Sequence, residues 1–520
     1  MLRAASLALL LLLAALVGGC GGGGGAADAD PATAVPADAL VYLEASVRPD
    51  GDVREDALAA AGKVLRTQDP EARIRELLEQ GLSDSDVQVD YERDIGPWLG
   101  ERLGFWMSTR EDENGDPGVA VIAATTDVEE AESAIEESRR RSGGSRSTER
   151  THRDVTYKVD SDGLAYGFAE DFVLVGDEPE LKRTIDALQG SSLAEAERYR
   201  DAVGGLADER LGHFFVDLKG LIEIGMREDP EAAEQLRQLG PLFPFDRLPP
   251  AAGAFLANGD RLALDAAVRL PRGGLPQQLG AFGWGSTPLM RELPADSWGV
   301  QSAPRFGESM RALFDQFAGA LGGAVAREQL RRELGLDLEQ DIFSWVGDVV
   351  FFVRGESMET LDGGAVVEVT VSDRAASAFG RIVGAARSQG GVAPRPVRIS
   401  GAESAFAFAA SGAPRPIVLA RGSERVVVAY GEEAAAAALS PGETLGDSDV
   451  YSRAESVLGD GMDPSLLLSV PQMVSLIDEA AAGDPGWAQA REYFEAFDVV
   501  TLGGTTDGGQ ARGRVAAGLR

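Results

Sequence analysis

The feature that most constrains the fold of this 520-residue chain is that it is written twice. Asp94-Ile95-Gly96-Pro97-Trp98-Leu99-Gly100-Glu101 returns as Asp341-Ile342-Phe343-Ser344-Trp345-Val346-Gly347-Asp348, and each copy leads into an apolar strand, Leu103 to Met107 and Val349 to Val353. Upstream, Pro36-Ala37-Asp38-Ala39-Leu40-Val41-Tyr42 matches Pro294-Ala295-Asp296-Ser297-Trp298-Gly299-Val300, both read as a turn feeding a strand. A helical stretch closes on Gly81-Leu82 in the first half and on Gly335-Leu336 in the second, the glycine suiting a left-handed cap.

The parallel continues downstream. Val119 to Ala124 precedes a helix over Asp127 to Arg140 capped by Thr126, and Ala365 to Thr370 precedes one over Asp373 to Ala385 capped by Ser372. Thr126 with Glu129 fits a capping box, and the acidic start and Arg139-Arg140-Arg141 end complement the helix dipole. Phe172 to Gly176 pairs with Val426 to Tyr430, Tyr199 with Tyr451, and Phe214-Phe215-Val216 with Leu466-Leu467-Leu468. Asn258-Gly259 and Asp507-Gly508 mark a closing hairpin in each half. Strands returning through hairpins between helices predict an α+β fold with a mostly antiparallel sheet, built as two tandem sequence-related repeats. The predicted boundaries are 36–272 for the first repeat, a Gly- and Pro-containing junction at 273–293, and 294–520 for the second. The Gly-, Pro- and Ala-rich stretch from Ser388 to Arg415 marks where the halves diverge.

The N-terminus carries an address. Arg3 precedes an apolar stretch from Leu7 to Val17, shorter than the ~20 residues a membrane-spanning helix needs, so residues 1–19 read as a signal peptide. Val17-Gly18-Gly19-Cys20 then resembles the lipobox of bacterial lipoproteins, which implies acylation of Cys20. Cys20 is the single cysteine of the chain, so an exported protein of this sequence forms no internal disulfide and keeps its one thiol where acylation is expected. Residues 20–35, rich in Gly, Ala and Asp, read as a flexible linker reaching about 20 to 25 Å. The expected localisation is extracytoplasmic, with the lipid as membrane anchor.

Charge and composition then exclude whole classes. Acidic residues number 84 against 49 basic ones, a net charge of −35 that repels phosphate backbones and leaves no basic groove for nucleic acid. Hydrophobic residues at 44% and charged residues at 26% are those of a globular body.

Catalytic signatures are missing. His152, read in a Ser/Arg/Gly loop from Ser142 to Asp154, and His213, read as just preceding a strand, are surface or strand-edge histidines and too few for a zinc site. A Ser-His-Asp site lacks its Gly-x-Ser-x-Gly elbow, and none of Lys63, Lys158, Lys182 and Lys219 follows a phosphate-binding glycine loop. Asp112-Glu113-Asn114-Gly115-Asp116 resembles a calcium loop, but Ala123 stands where the twelfth-position Glu belongs, and Pro117 at the glycine position; it reads as a hairpin tip. No metal and no cofactor are predicted. Arg139 to Arg141, Arg146, Arg150 and Arg153 read as a solvated helix end and loop rather than a patch for anionic lipid or polymer.

The Pro-Ala-Asp starts and the Asp-Ile-x-x-Trp-aliphatic-Gly-acidic segments at Asp94 and Asp341 resemble those of a bacterial secreted-protein family known as domain of unknown function 3352. The resemblance implies no activity. Asp94, Trp98, Gly100, Asp341, Trp345 and Gly347 are the repeat-shared residues, read as structural anchors. The expectation is a non-enzymatic, lipid-anchored binding or scaffolding protein whose partner is an envelope protein, a polymer or a hydrophobic ligand. Its rivals are a carrier of lipid or another apolar ligand and the solute-binding lipoprotein of a transporter.

Overall fold

A computed structural model describes residues 28–83, 91–111, 117–141, 147–161, 163–228, 234, 248–270, 285–320, 323–389, 393–409, 412–459, 461–507 and 509–520. The chain divides into two compact units, Met1–Ala233 with Phe245–Arg269, and Glu234–Pro244 with Leu270–Arg520. Each is α+β, with antiparallel ladders throughout.

The first unit contains β1 (Val41–Ser46), β2 (Leu99–Glu111), β3 (Pro117–Thr125), β4 (Thr148–His152), β5 (Val155–Val159), β6 (Leu164–Ala169), β7 (Phe172–Asp177), β8 (Gly212–Val216), β9 (Ala251–Asn258) and β10 (Arg261–Arg269). Pairing places them in the order β4-β5-β6-β7-β3-β2-β1-β8-β9-β10. The second unit contains β11 (Gly299–Ala303), β12 (Val346–Arg354), β13 (Asp362–Val369), β14 (Arg395–Pro396), β15 (Ser404–Phe408), β16 (Ile417–Arg421), β17 (Arg425–Tyr430), β18 (Pro464–Ser469), β19 (Phe497–Asp507) and β20 (Gln510–Leu519). Its order is β14-β15-β16-β17-β13-β12-β11-β18-β19-β20.

Alternating side chains give the first sheet two apolar faces, and helices cover both. On one face Tyr42, Trp106, Tyr157 and Phe215 meet Leu181 and Ile185 of the helix Glu178–Leu188 and Tyr199 of the helix Glu197–Val203. On the other, Val47, Trp98, Leu103 and Val173 meet Ala61, Ile74 and Ala131 from helices Gly51–Val64, Pro70–Ser83 and Val128–Arg141. In the second unit Trp345 and Val426 pack on Ala375 and Ala378 of the helix Ser372–Gln389.

Several expectations need correction. The predicted linker 20–35 is not flexible to its end: Asp30 caps a 3-10 turn at Pro31–Ala34, and Ala32, Ala34 and Val35 are fully buried. Small residues without charge pack where an extended leash was expected. The junction 273–293 likewise ends inside the second unit, where Thr287 caps Pro288–Met290 and Leu289, Met290 and Leu293 are buried. The helix Pro70–Ser83 runs through Gly81, whereas Gly335 does end its helix, with φ 66°. Asp127, not Thr126, caps the helix at Val128, its Oδ1 accepting from the Glu130 amide at 3.0 Å. Thr126 instead turns back to the Trp98 carbonyl. Ser372 lies within the helix it was expected to cap, its hydroxyl reaching the Ser423 carbonyl at 3.5 Å. The supposed loop from Ser142 to Asp154 contains β4, which carries His152. Residues 112–116 and Gly508 lie outside the described residues.

Candidate functional site

The repeat-shared residues form a folding lock in each unit. Tyr91–Ile95 and Glu339–Phe343 make matching wide helical turns. From each turn the buried Trp donates back, Trp98 Nε1 to the Asp94 carbonyl and Trp345 Nε1 to the Asp341 carbonyl, both at 2.7 Å. The Trp carbonyls accept hydroxyls in turn, Thr125 at 2.8 Å and Thr370 at 2.9 Å. Each Asp carboxylate is buried and paired with arginine from the following helix, Asp94 with Arg141 and Asp341 with Arg381. Gly100 is buried in β2, and a Cβ on Gly347 would collide with Glu368 and Thr370. These residues shape backbone and fill core. Arg139 is also engaged, 2.5 Å from Asp160 and over the Tyr166 ring. Cys20 lies outside the described residues.

A second cluster was not anticipated from sequence. His213 is neither at the surface nor at a strand edge: it sits within β8, between β1 and β9, and is 2% exposed. Its register partner is Glu44, 8% exposed. Tyr42 donates to Glu44 Oε2 at 2.7 Å, and Tyr199 Oη lies 2.8 Å from His213 Nε2. His213 Nδ1 stands 3.8 Å from Glu44 Oε1, outside hydrogen-bonding distance. Arg102 approaches Glu44 at 3.8 Å and pairs with Asp28 at 2.6 Å, bringing the segment before β1 against the cluster. Gly104 makes room for that segment, since a Cβ there would lie 2.6 Å from Pro31.

Burial governs the protonation of this cluster. Burial first, then Arg210, brings the His213 pKa down to about 4 against an opposing pull from Asp30, so the imidazole is neutral at pH 7. Burial raises Glu44, with the Tyr42 hydrogen bond and Arg102 partly offsetting it, and burial raises Tyr199. The alternating strand pattern around Glu44 and His213 was the only sequence signal, and both interrupt otherwise apolar strands.

In the second unit the same strand positions carry different chemistry. Val300 stands between Phe352 and Leu467 as Tyr42 stands between Trp106 and Phe215. Two residues on from Val300, Ser302 takes the place of Glu44, and Ser465 that of His213; the Ser302 hydroxyl donates to the Ser465 carbonyl at 3.0 Å.

An open site lies elsewhere in the first unit, between β5 and β6, one strand in from the β4 edge. A cavity of about 420 Å³ is lined there by Tyr157, Phe168 and Leu188 together with Glu149, Glu170 and Lys158. His152, on β4, is 2.9 Å from Asp186. Among the described residues no group of His, Cys, Asp and Glu is arranged to hold a metal ion.

The model of the family described as "Protein of unknown function (DUF3352)" matches residues 3–263. No curated protein matches the chain. Crystal forms III, I and IV of TP0453 are similar over 48, 48 and 47% of this chain and 83, 83 and 82% of that one. Their identities are 12, 11 and 12%, with TM-scores of 0.25, 0.26 and 0.25.

Proposed function

The chain belongs to the DUF3352 family of proteins of unknown function, and on that premise we propose that it is an exported, lipid-anchored envelope protein that binds or scaffolds and does not catalyse. The observation that carries the reading is a separation of chemistry from access. The groups suited to proton transfer, Glu44, His213 and Tyr199, are sealed in a packed core, whereas the cavity at β5 and β6 is lined by both apolar side chains and carboxylates. A general base must reach its substrate to within hydrogen-bonding distance. Retention of a ligand needs only the cavity.

Tethering is supported by Val17-Gly18-Gly19-Cys20, and no helix among the described residues is long and apolar enough to cross a membrane. We also propose that the two units arose by duplication. Support comes from the identical strand orders and from the two Asp-Trp locks. The cavity favours one alternative, a carrier of a small apolar ligand. The antiparallel ladders speak against a transporter's solute-binding lipoprotein, whose lobes are parallel and doubly wound.

Fractionation of a lipoprotein-processing bacterium tests the proposal. Wild-type protein should enter the membrane fraction and take up a palmitate label, and Cys20→Ser should release it unlabelled. Equal membrane retention of both, without label in either, would overturn the tether.

A further inference from the structure

The opening between β5 and β6 has a mechanical origin. β4 and β5 stay paired over five residues, from Thr148 opposite Val159 to His152 opposite Val155. β6 and β7 stay paired over six. Between these hairpins the ladder holds only at Tyr157–Gly167, Lys158–Tyr166 and Val159–Ala165. The corresponding strands of the second unit, β15 and β16, remain paired over five residues, with Ser404–Arg421 closing the gap.

Two helices on opposite faces hold the β4–β5 hairpin. Its tip turns through Arg153 and Asp154, at φ 46° and 65°. There His152 and Arg153 both pair with Asp186, and Gln189 donates to the Arg153 carbonyl at 3.0 Å, fixing the tip to the helix Glu178–Leu188. The far end is fixed to the helix Val128–Arg141 through Lys158–Glu136 and Arg139–Asp160. Pulled to opposite faces at its two ends, β5 leaves β6 beyond Tyr157.

The resulting slot, about 420 Å³, falls within the roughly 300–1,000 Å³ of small-molecule sites. Phe168 and Leu188 line it from the two faces of the sheet, and beside them stand four carboxylates, Glu132, Glu149, Asp154 and Glu170, and one base, Lys158. Of these, Glu149, Asp154 and Glu170 have no ion-pair partner among the described residues. The nearby bases are already engaged: Lys158 by Glu136, Arg153 by Asp186 and Arg150 by Glu178. Four carboxylates against one lysine, itself held by Glu136, leave the lining net negative, which attracts a cation and rejects an anion.

We infer that the slot binds a small cationic amphiphile, its single alkyl or aryl group on Phe168 and Leu188 and its ammonium group at the carboxylates of the lining. This rests on the binding reading above and names its ligand class. Cys20 is not among the lining residues, so a failure in either test leaves the other standing.

Calorimetric titration of the full chain carrying Cys20→Ser, which needs no detergent, provides the test, with octylammonium, octanol and octanoate as probes. Octylammonium should bind saturably at one site, at least tenfold more tightly than octanoate, with the preference shrinking as salt rises. Leu188→Trp fills the slot and should abolish binding. The exposed pair Glu149→Lys and Glu170→Lys should invert the preference toward octanoate, and it decides the matter if the Trp variant fails to fold. No saturable binding, equal affinity for the two charged probes, or unchanged octylammonium binding in a folded Leu188→Trp protein would each overturn the inference.

Discussion

At matching strand positions the two units bury opposite chemistries. The first places Tyr42, Glu44, His213 and Tyr199 between its sheet and helices; the second places Val300, Ser302, Ser465 and Tyr451 there. Both arrangements are buried, and both sit on the same order of ten strands. Strand order therefore fixes where a side chain points, while its polarity is left free. In the first unit the hydrogen bonds are made by side chains on three elements, Tyr42 and Glu44 on β1, His213 on β8 and Tyr199 on a helix. In the second they are made by two short hydroxyls on backbone carbonyls, Ser302 on Gly285 and Ser465 and the Ser465 hydroxyl on Leu502. A network of the first kind ties elements together more tightly and loses more when one member is removed.

The largest effects should fall where the units agree. Trp98→Ala and Trp345→Ala each delete a buried indole and its hydrogen bond, and each should cost about 3–5 kcal/mol. Denaturant melts read by unit-resolved hydrogen exchange should show each variant weakening its own unit by a similar amount. A large loss in one unit only would break the equivalence of the two locks.

Those locks were the part of the molecule most legible in sequence, because Asp, Trp, Gly and Pro at fixed spacing carry local backbone geometry. The packed 3-10 turns at Pro31–Ala34 and Pro288–Met290 were not legible: their Ala, Thr, Pro and Leu residues have no helical or alternating period, and only tertiary burial distinguishes them from linker. The Glu44–His213 cluster was hidden for a related reason. Its members are 169 residues apart in sequence, and the register that brings them opposite each other is a property of the finished sheet. The slot depends on a strand leaving its neighbour, which no local pattern encodes.

Transplanting the second unit's chemistry into the first gives the next effect. Glu44→Ser or His213→Ser alone should each cost about 1–3 kcal/mol by leaving buried polar partners unmet. The double variant should cost less than the sum by at least about 0.5 kcal/mol, since the two are register partners with Oε1 and Nδ1 3.8 Å apart. Strict additivity in a double-mutant cycle would show that the two groups do not communicate.

Acid should distinguish the units as well. Because the folded His213 pKa is depressed to about 4 from 6.5, its contribution to stability is complete above pH 6.5 and is lost as pH falls toward 4. Glu44, raised by burial above 4.5, works the other way: its contribution is present below 4.5 and lost as pH rises through its folded value. His213→Gln should therefore flatten the decline of the first unit's stability between pH 6.5 and 4, leaving the second unit unaffected. An unchanged pH profile would show that His213 is not the group responsible.

The smallest energetic effect should come from the hairpin tip, where the two units differ in pairing rather than in core. Asp186 holds both His152 and Arg153, all three partly exposed, and solvent-screened pairs of this kind contribute within about 1 kcal/mol. Asp186→Ala should thus barely move the melting curve. Its structural effect should be larger than its energetic one: with the tip released from the helix Glu178–Leu188, Thr156 can resume pairing opposite Phe168, as Ser404 pairs opposite Arg421 in the second unit. Amide exchange around Val155 and Thr156 should slow, and octylammonium affinity should fall at least severalfold with the closing of the slot. If exchange there is unchanged while the tip contacts are gone, the opening is held by the apolar packing of Tyr157 and Ile185, and the two units differ in their cores after all.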